Sequence, residues 1–339
     1  MSTREKVPTG KGNKVSYCHT FGSPHGPSLS KCPVQSPPTM ESVPVVFLDA
    51  LCATLKKKDL NILQQIVEPW MSTVTTHYSR RREIRVSLHV NPEGTEVGIR
   101  VVKIGVFGAS VNLESFVWSK YDRIRYIQMN KFDQFGAQPL KMPLERFRTK
   151  VLPLLNSFAD AYDLDISSFH RYRLLMDTLF SGLRAPALIR TGNFGENCIK
   201  FVEQKIASDQ LQGLDLLGTE WAASMKATLK SFLKSQNFMK LDLFGTNLTV
   251  DKDMLIIMFE RFFNGDLRKG TRLQGRPSDE MTDIHRALES GDTLPSLGRL
   301  LEQRATIRRE LNHIRWARPG QASLHAWFVS PELVHIYVR

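Results

Sequence analysis

The sequence predicts an α/β protein in which an N-terminal helix pair precedes a mixed sheet and a run of strand–helix repeats. Three observations predict it. Apolar residues recur at helical spacing from Phe47 to Val67, they alternate at strand spacing over 83–103, and one strand-plus-turn phrase occurs twice in the C-terminal half. The 339 residues are 42% hydrophobic, enough to bury a substantial core across one large or two ordinary domains.

Residues 1–39 hold six of the 17 prolines with many Gly, Ser and Lys and no amphipathic period, so they read as a disordered leader. Met40 opens the phrase MESVP, which looks like a natural start, so the leader reads as an upstream extension.

The helical segment spans 40–79. Phe47, Leu48, Leu51, Cys52 and Leu55 share one face of a first helix. Pro44 suits the first turn, where a missing N–H costs nothing. Lys56, Lys57 and Lys58 complement the negative end of that helix. Asp59 then caps a second helix with Leu60, Leu63, Ile66 and Val67, and Pro69 and Trp70 close it.

The remaining region, 80–339, is expected to be mixed α/β. Ile84, Val86, Leu88 and Val90 alternate with polar residues, a turn follows at 91–94, and Val97, Ile99 and Val101 alternate again, predicting a hairpin. A strand is expected over 123–129 and helices over 143–162 and 169–182. The repeated phrase is Leu214-Asp215-Leu216-Leu217-Gly218-Thr219, matched 27 residues later by Leu241-Asp242-Leu243-Phe244-Gly245-Thr246. Each copy leads into an amphipathic helix, one with Met225, Leu229 and Phe232, the other with Met254, Met258 and Phe262. A strand-plus-helix unit of this length is the signature of leucine-rich-repeat architecture, clearest here at 211–265. Degenerate copies are expected on either side, with strands at 187–190 and 272–275 and helices at 197–206 and 280–288. A final helix near 295–314 and two alternating runs, 324–329 and 333–338, end the chain, and the pair of runs suits a cap on the open end of the repeat sheet.

No residue set announces a reaction. The P-loop, GxSxG and HExxH patterns are missing from the sequence, and no Cys/His group has zinc spacing, so neither catalytic residues nor a metal or cofactor is expected. Cys52 and Cys198 lie in apolar helical patterns and read as buried thiols. Asp160, Asp163 and Asp165 read as loop or capping carboxylates at a helix end, and His170 with Arg171 and Arg173 as a solvated helix face. Asp251 and Asp253 read as favourable charge at a helix start. Arg80, Arg81 and Arg82, next to Tyr78 and Arg85, form the densest basic cluster. A solvated linker is the preferred reading, with weak nucleic-acid binding as an alternative. Trp118, Trp221, Trp316 and Trp327 are expected as core anchors. The net charge of +12 is a diffuse excess that favours acidic partners without specifying one. With no apolar stretch of about 18 residues and no signal-peptide core, no membrane contact is expected, and the reading is cytoplasmic or nuclear.

Residues 43–70, VPVVFLDALCATLKKKDLNILQQIVEPW, resemble an F-box: a leading Pro44, spaced Leu48, Leu51 and Leu55, the pair Asp59-Leu60, then Leu63, Ile66 and Trp70. The stretch 40–339 also looks like a nematode-expanded group of F-box-like proteins, through MESVP, THYSRRREI, the paired LDLxGT phrases and FERFFNGDL. Val43 departs from the Leu that usually precedes the proline, the span from Pro44 to Trp70 is slightly short, and three lysines fill the central turn. The resemblance implies a substrate-recognition subunit of a cullin-type ubiquitin ligase, whose partners are the ligase adaptor and an unknown protein substrate. Pro44, Leu48, Leu55, Leu60, Ile66 and Trp70 would then be adaptor-binding or supporting residues. The alternative is a binding scaffold outside ubiquitin chemistry in which this segment has decayed into core.

Overall fold

The computed structural model describes residues 43–65, 70–91, 93–105, 110–129, 140–167, 173–184, 186–293, 305–308, 311–318 and 322–339. The expected leader, Ile66, Val67, Pro69, His170 and Arg171 lie outside them.

Three short helices come first: α1 (Val45–Thr54), α2 (Lys57–Leu63) and α3 (Trp70–Arg80). The expected pair is therefore a trio, because Trp70 begins a third helix rather than closing the second. Its period is carried by Trp70, Val74, His77 and Tyr78, of which Trp70, Val74 and Tyr78 pack with Cys52, Leu55, Leu60 and Leu63. This small interior is separate from the main core.

A hairpin follows as expected, β1 (Arg82–Val90) and β2 (Glu96–Lys103), antiparallel with Val86 opposite Val101. Asn91 fixes its turn by accepting the backbone N–H groups of Thr95 and Glu96 on its side-chain oxygen. The chain continues through β3 (Ser110–Asn112), β4 (Asp122–Met129), β5 (Leu140–Pro143) and α4 (Leu144–Arg146). A π turn over Phe147–Val151 then leads into α5 (Leu152–Phe158).

Strands and helices alternate in sequential order beyond this point. They are β6 (Ala159–Ile166), α6 (Arg173–Gly182), β7 (Pro186–Gly192), α7 (Glu196–Ala207), β8 (Gly213–Leu217), α8 (Met225–Lys234), β9 (Lys240–Asp242), β10 (Thr249–Val250), α9 (Lys252–Asn264), β11 (Arg272–Pro277) and α10 (Asp279–Ser290). The expected helix over 143–162 thus stops at Phe158. Tyr162, Leu164 and Ile166 alternate with Asp163 and Asp165, and strand period prevails over the helical run before it.

The strands β1, β4, β6, β7, β8, β9 and β11 pair parallel in that order. From β6 onward each step moves to the adjacent strand in the same direction, and right-handed crossovers then put the connecting helices on one face. Ile84, Ile127, Leu164, Ile189, Leu214, Leu241 and Leu273 project from the strands into that layer, meeting Leu155, Leu179, Phe201, Leu229, Leu255 and Ile284 of the helices in one continuous core.

The repeated phrase gives two matched turns. Gly218 and Gly245 both take a left-handed φ, +80° and +77°, which glycine adopts without strain. Gly218 and Thr246 bridge in parallel. Adjacent turns are laced by side chains: the Asn193 amide donates to the Glu220 carbonyl at 2.6 Å. Asn247 donates to the Trp221 carbonyl at 2.7 Å and accepts the Trp221 N–H at 3.1 Å. Asp251 caps α9 by accepting the Met254 N–H.

The expected helix near 295–314 is not formed in its described part. Residues 305–308 are β12 (Ala305–Arg308) and 313–317 are β13 (His313–Ala317), which pair antiparallel with each other. β14 (Ser323–Ser330) and β15 (Leu333–Val338) follow, and β15 joins β11 antiparallel. The terminal pair therefore does cap the parallel stack, extended by two further strands.

Candidate functional site: the open face of the sheet

Helices cover one face of the sheet, so alternate strand residues point to the other. The register aligns them in rows. One row runs Ser87, Gln128, Asp165, Arg190, Asp215, Asp242, Gln274 and His335, each paired with the next across its strands. It continues through Trp327 and His313 to Arg308. The row is polar or aromatic throughout, although its flanking neighbours on most strands, such as Val86, Leu164, Leu241 and Ile336, are buried apolar groups.

In the parallel part, charges on this face neutralise one another. Lys240 pairs with Asp215, Arg125 with Glu83 at 3.2 Å, and the Gln274 amide donates to Asp242 at 2.6 Å. Burial pushes the carboxyls of Asp163 and Asp215 above the usual range, and the neighbouring cations Lys56 and Lys240 respectively pull them back. Asp160, Asp163 and Asp165 are thus strand residues of β6, the last two on the open face, and not helix-end or loop carboxylates.

The helix trio is tied to the sheet through polar groups. The Arg81 guanidinium donates to the Cys52 carbonyl at 2.6 Å, and that of Arg123 on β4 to the Ala53 carbonyl at 2.7 Å. These carbonyls end α1, where acceptors lack intrahelical partners and cations suit the dipole. Asp49 of α1 accepts from His77 at 2.9 Å and from Lys120 at 3.1 Å, contacts that hold its carboxyl below the usual range. The expected solvated linker at 80–82 is corrected here. Arg81 is buried, and Arg82 forms a two-pronged contact with the fully buried Asp122, both at 2.6 Å. Between the trio and the sheet lies a cleft of about 330 Å3, lined by Lys56, Lys57, Lys58, Glu83, Arg125 and Asp163 among others.

The F-box-like residues divide by position. Leu48 and Leu60 are fully buried, Leu55 and Trp70 are half-buried in the trio's interior, and Pro44 is exposed. Val45, Val46, Phe47 and Ile62 lie outside, each more than half exposed. Among the tryptophans, Trp221 and Trp316 are buried core anchors and Trp118 packs half-buried against the core, but Trp327 is 42% exposed on the open face, contrary to expectation.

At the other end of the face, β12–β15 line a second cleft of about 590 Å3. His313 and His325 stack at 4.9 Å with their rings hydrogen-bonded, Nε2 to Nδ1, at 2.8 Å. His325 stacks in turn on Tyr337 at 4.9 Å, and its Nε2 meets the Ser323 hydroxyl at 2.7 Å. Serine, histidine and a further histidine in this order form the connectivity of a nucleophile, a base and its orienting group. Two features oppose use as one. Burial, with His313 and three arginines nearby, holds His325 down at about 4, too low for an efficient base at neutral pH. The Ser323 N–H is also already committed to the Arg339 carbonyl, so it cannot stabilise an oxyanion. The arrangement is better suited to binding. Apart from Trp327, its residues carry no signal in the sequence, because they converge only when four strands with no shared motif pair in register.

Comparison with models of protein families, with curated proteins and with solved structures finds no match. Among the described residues, no helix is long and apolar enough to cross a membrane and no group of His, Cys, Asp or Glu could hold a metal ion.

Proposed function

We propose that the chain is a protein-interaction adaptor, in which the helix trio engages the adaptor subunit of a cullin-type ubiquitin ligase and the open sheet face selects a protein substrate. The observation that carries the reading is the surplus of apolar surface on the trio. Its interior is already filled by Cys52, Leu60 and Val74, yet Val45, Val46, Phe47 and Ile62 stay exposed. Exposed apolar groups on a small helical unit favour a partner's groove. On this reading Leu48 and Leu60 are supporting residues rather than contacts, and Pro44 borders the docking surface. The strand–helix steps act as leucine-rich-repeat-like units whose open face reads the substrate. The cytoplasm or nucleus is where such a ligase operates.

A second reading has its own observation. The buried guanidinium of Arg81 and that of Arg123 tether α1 to the sheet, as expected of a scaffold element outside ubiquitin chemistry. Calorimetry with the purified ligase adaptor separates the two. The first reading expects binding that a Phe47→Asp, Ile62→Asp double variant abolishes while its unfolding temperature stays close to that of wild type. Wild-type protein that gives no heat with the adaptor sinks that reading and leaves the scaffold.

A further inference from the structure

We propose that the cleft between β12 and β15 binds a nucleotide unit, with its phosphate held by Arg308, Arg315, Lys269 and Arg339 and its base stacked on Trp327. This does not rest on the adaptor reading, since none of these residues belongs to the trio.

The charge pattern comes first. Among the described residues, four permanently cationic side chains and two histidines line this cleft, and no acidic side chain does. None of the four cations forms an ion pair with a described carboxylate, whereas Lys240, Arg125 and Arg82 elsewhere on the sheet each have one. Like charges gathered with no acidic side chain among the described residues repel one another, a cost that an incoming anion lowers. The Nε of Arg315 is buried, with no hydrogen-bond partner among the described residues. Guanidinium groups match phosphate oxygens in planar, two-pronged geometry.

The aromatic groups give the second half of the ligand. Tyr337 is occupied, stacked on His325 and set against the Arg339 guanidinium at 5.7 Å. Trp327 meets the His335 ring edge-on, at 6.2 Å and 74°, and keeps 42% of its surface in solvent. An indole left open beside a cluster of cations is the pairing that holds a base and its phosphate together. The cleft, about 590 Å3, lies in the size range of small-molecule pockets. The His313–His325 pair completes the wall by stacking and hydrogen bonding rather than by charge.

The test is fluorescence anisotropy of fluorescein-labelled hexauridylate at about 50 mM salt, with competition by UMP and by inorganic phosphate. Wild type should bind the hexamer and release it as salt rises. Arg308→Glu with Arg315→Glu should weaken binding at least about thirtyfold. Trp327→Ala should weaken hexamer and UMP about tenfold and leave competition by phosphate within about twofold. Arg286→Glu, on the helical face, should change nothing. All four side chains are at least partly exposed, and near-ultraviolet circular dichroism checks that each variant folds. For a strand-borne ligand the hexamer binds at least about tenfold tighter than UMP, and for a free nucleotide the two are equal. Absence of hexamer and UMP binding, or binding that survives the double charge reversal, overturns the proposal. Phosphate competing as well as UMP, with no effect of Trp327→Ala, overturns the base contact.

Discussion

The two ends of the sheet use arginine in opposite ways. Near the helix trio, Arg81, Arg82, Arg123 and Arg125 are engaged by Cys52, Asp122, Ala53 and Glu83, so their charges are absorbed by the fold. Near β12–β15, Arg308, Arg315 and Arg339 have no such partners among the described residues and cluster around an open cleft. Residue type is the same at both ends. What differs is whether an acceptor among the described residues lies within reach, and that separates cations placed for stability from cations placed for recognition.

The comparison can be broken by mutation, beginning with the largest expected effect. Asp122→Ala removes the buried acceptor of Arg82 and of the Ser119 N–H, and should cost about 3 kcal/mol in urea unfolding. Arg81→Met preserves stem volume but leaves the Cys52 carbonyl unpaired, and should cost about 2 kcal/mol and expose the trio to limited proteolysis. A loss below about 0.5 kcal/mol for both would show that these charges are not structural. Arg308→Gln with Arg315→Gln removes charge that has no ion-pair partner among the described residues. It should leave stability within about 0.5 kcal/mol of wild type, with any shift being a gain. A marked loss would place these arginines with the structural set.

Burial holds His313, His325 and His335 below the ordinary histidine value, His325 to about 4. Such groups take up protons on unfolding between an ordinary histidine value of about 6.5 and their folded values. Their contribution to stability is therefore full above that window and falls as pH drops through it. Partial exposure of the rings and the raised carboxyls of Asp163 and Asp215, which act oppositely, limit the expected loss from about pH 7.5 to about pH 5 to roughly 1–2 kcal/mol. Urea titrations at the two pH values should show that loss, and His325→Asn should shrink it.

The legible part of the fold is the part with local periodicity. The 27-residue offset between Leu214 and Leu241 marks two strand–helix steps, and alternation marks β1, β2, β14 and β15. Two segments mislead. The helical spacing of Val151, Leu154, Leu155 and Phe158 predicts a helix that runs on to 162, where the chain is already strand β6. Ile307, Leu311 and Ile314 fit a helical face as well as they fit β12, β13 and the residues between them, so tertiary pairing decides. The open face is half legible: Asp215 and Asp242 stand out as polar positions inside the repeated apolar strand phrase, whereas Asp163 reads as a helix-end carboxylate and is a strand residue of β6. The C-terminal cleft is not, because His313, His325, Trp327 and Tyr337 meet through strand order, which no local pattern encodes.

The lacing of Asn193 to Glu220 and of Asn247 to Trp221 has an architectural consequence. Each step grips only the step beside it, so a whole turn could be spliced in or out and the cut ends would meet at the same height. The sheet would widen or narrow by one strand spacing, roughly 4.8 Å, while each surviving layer kept its own surroundings.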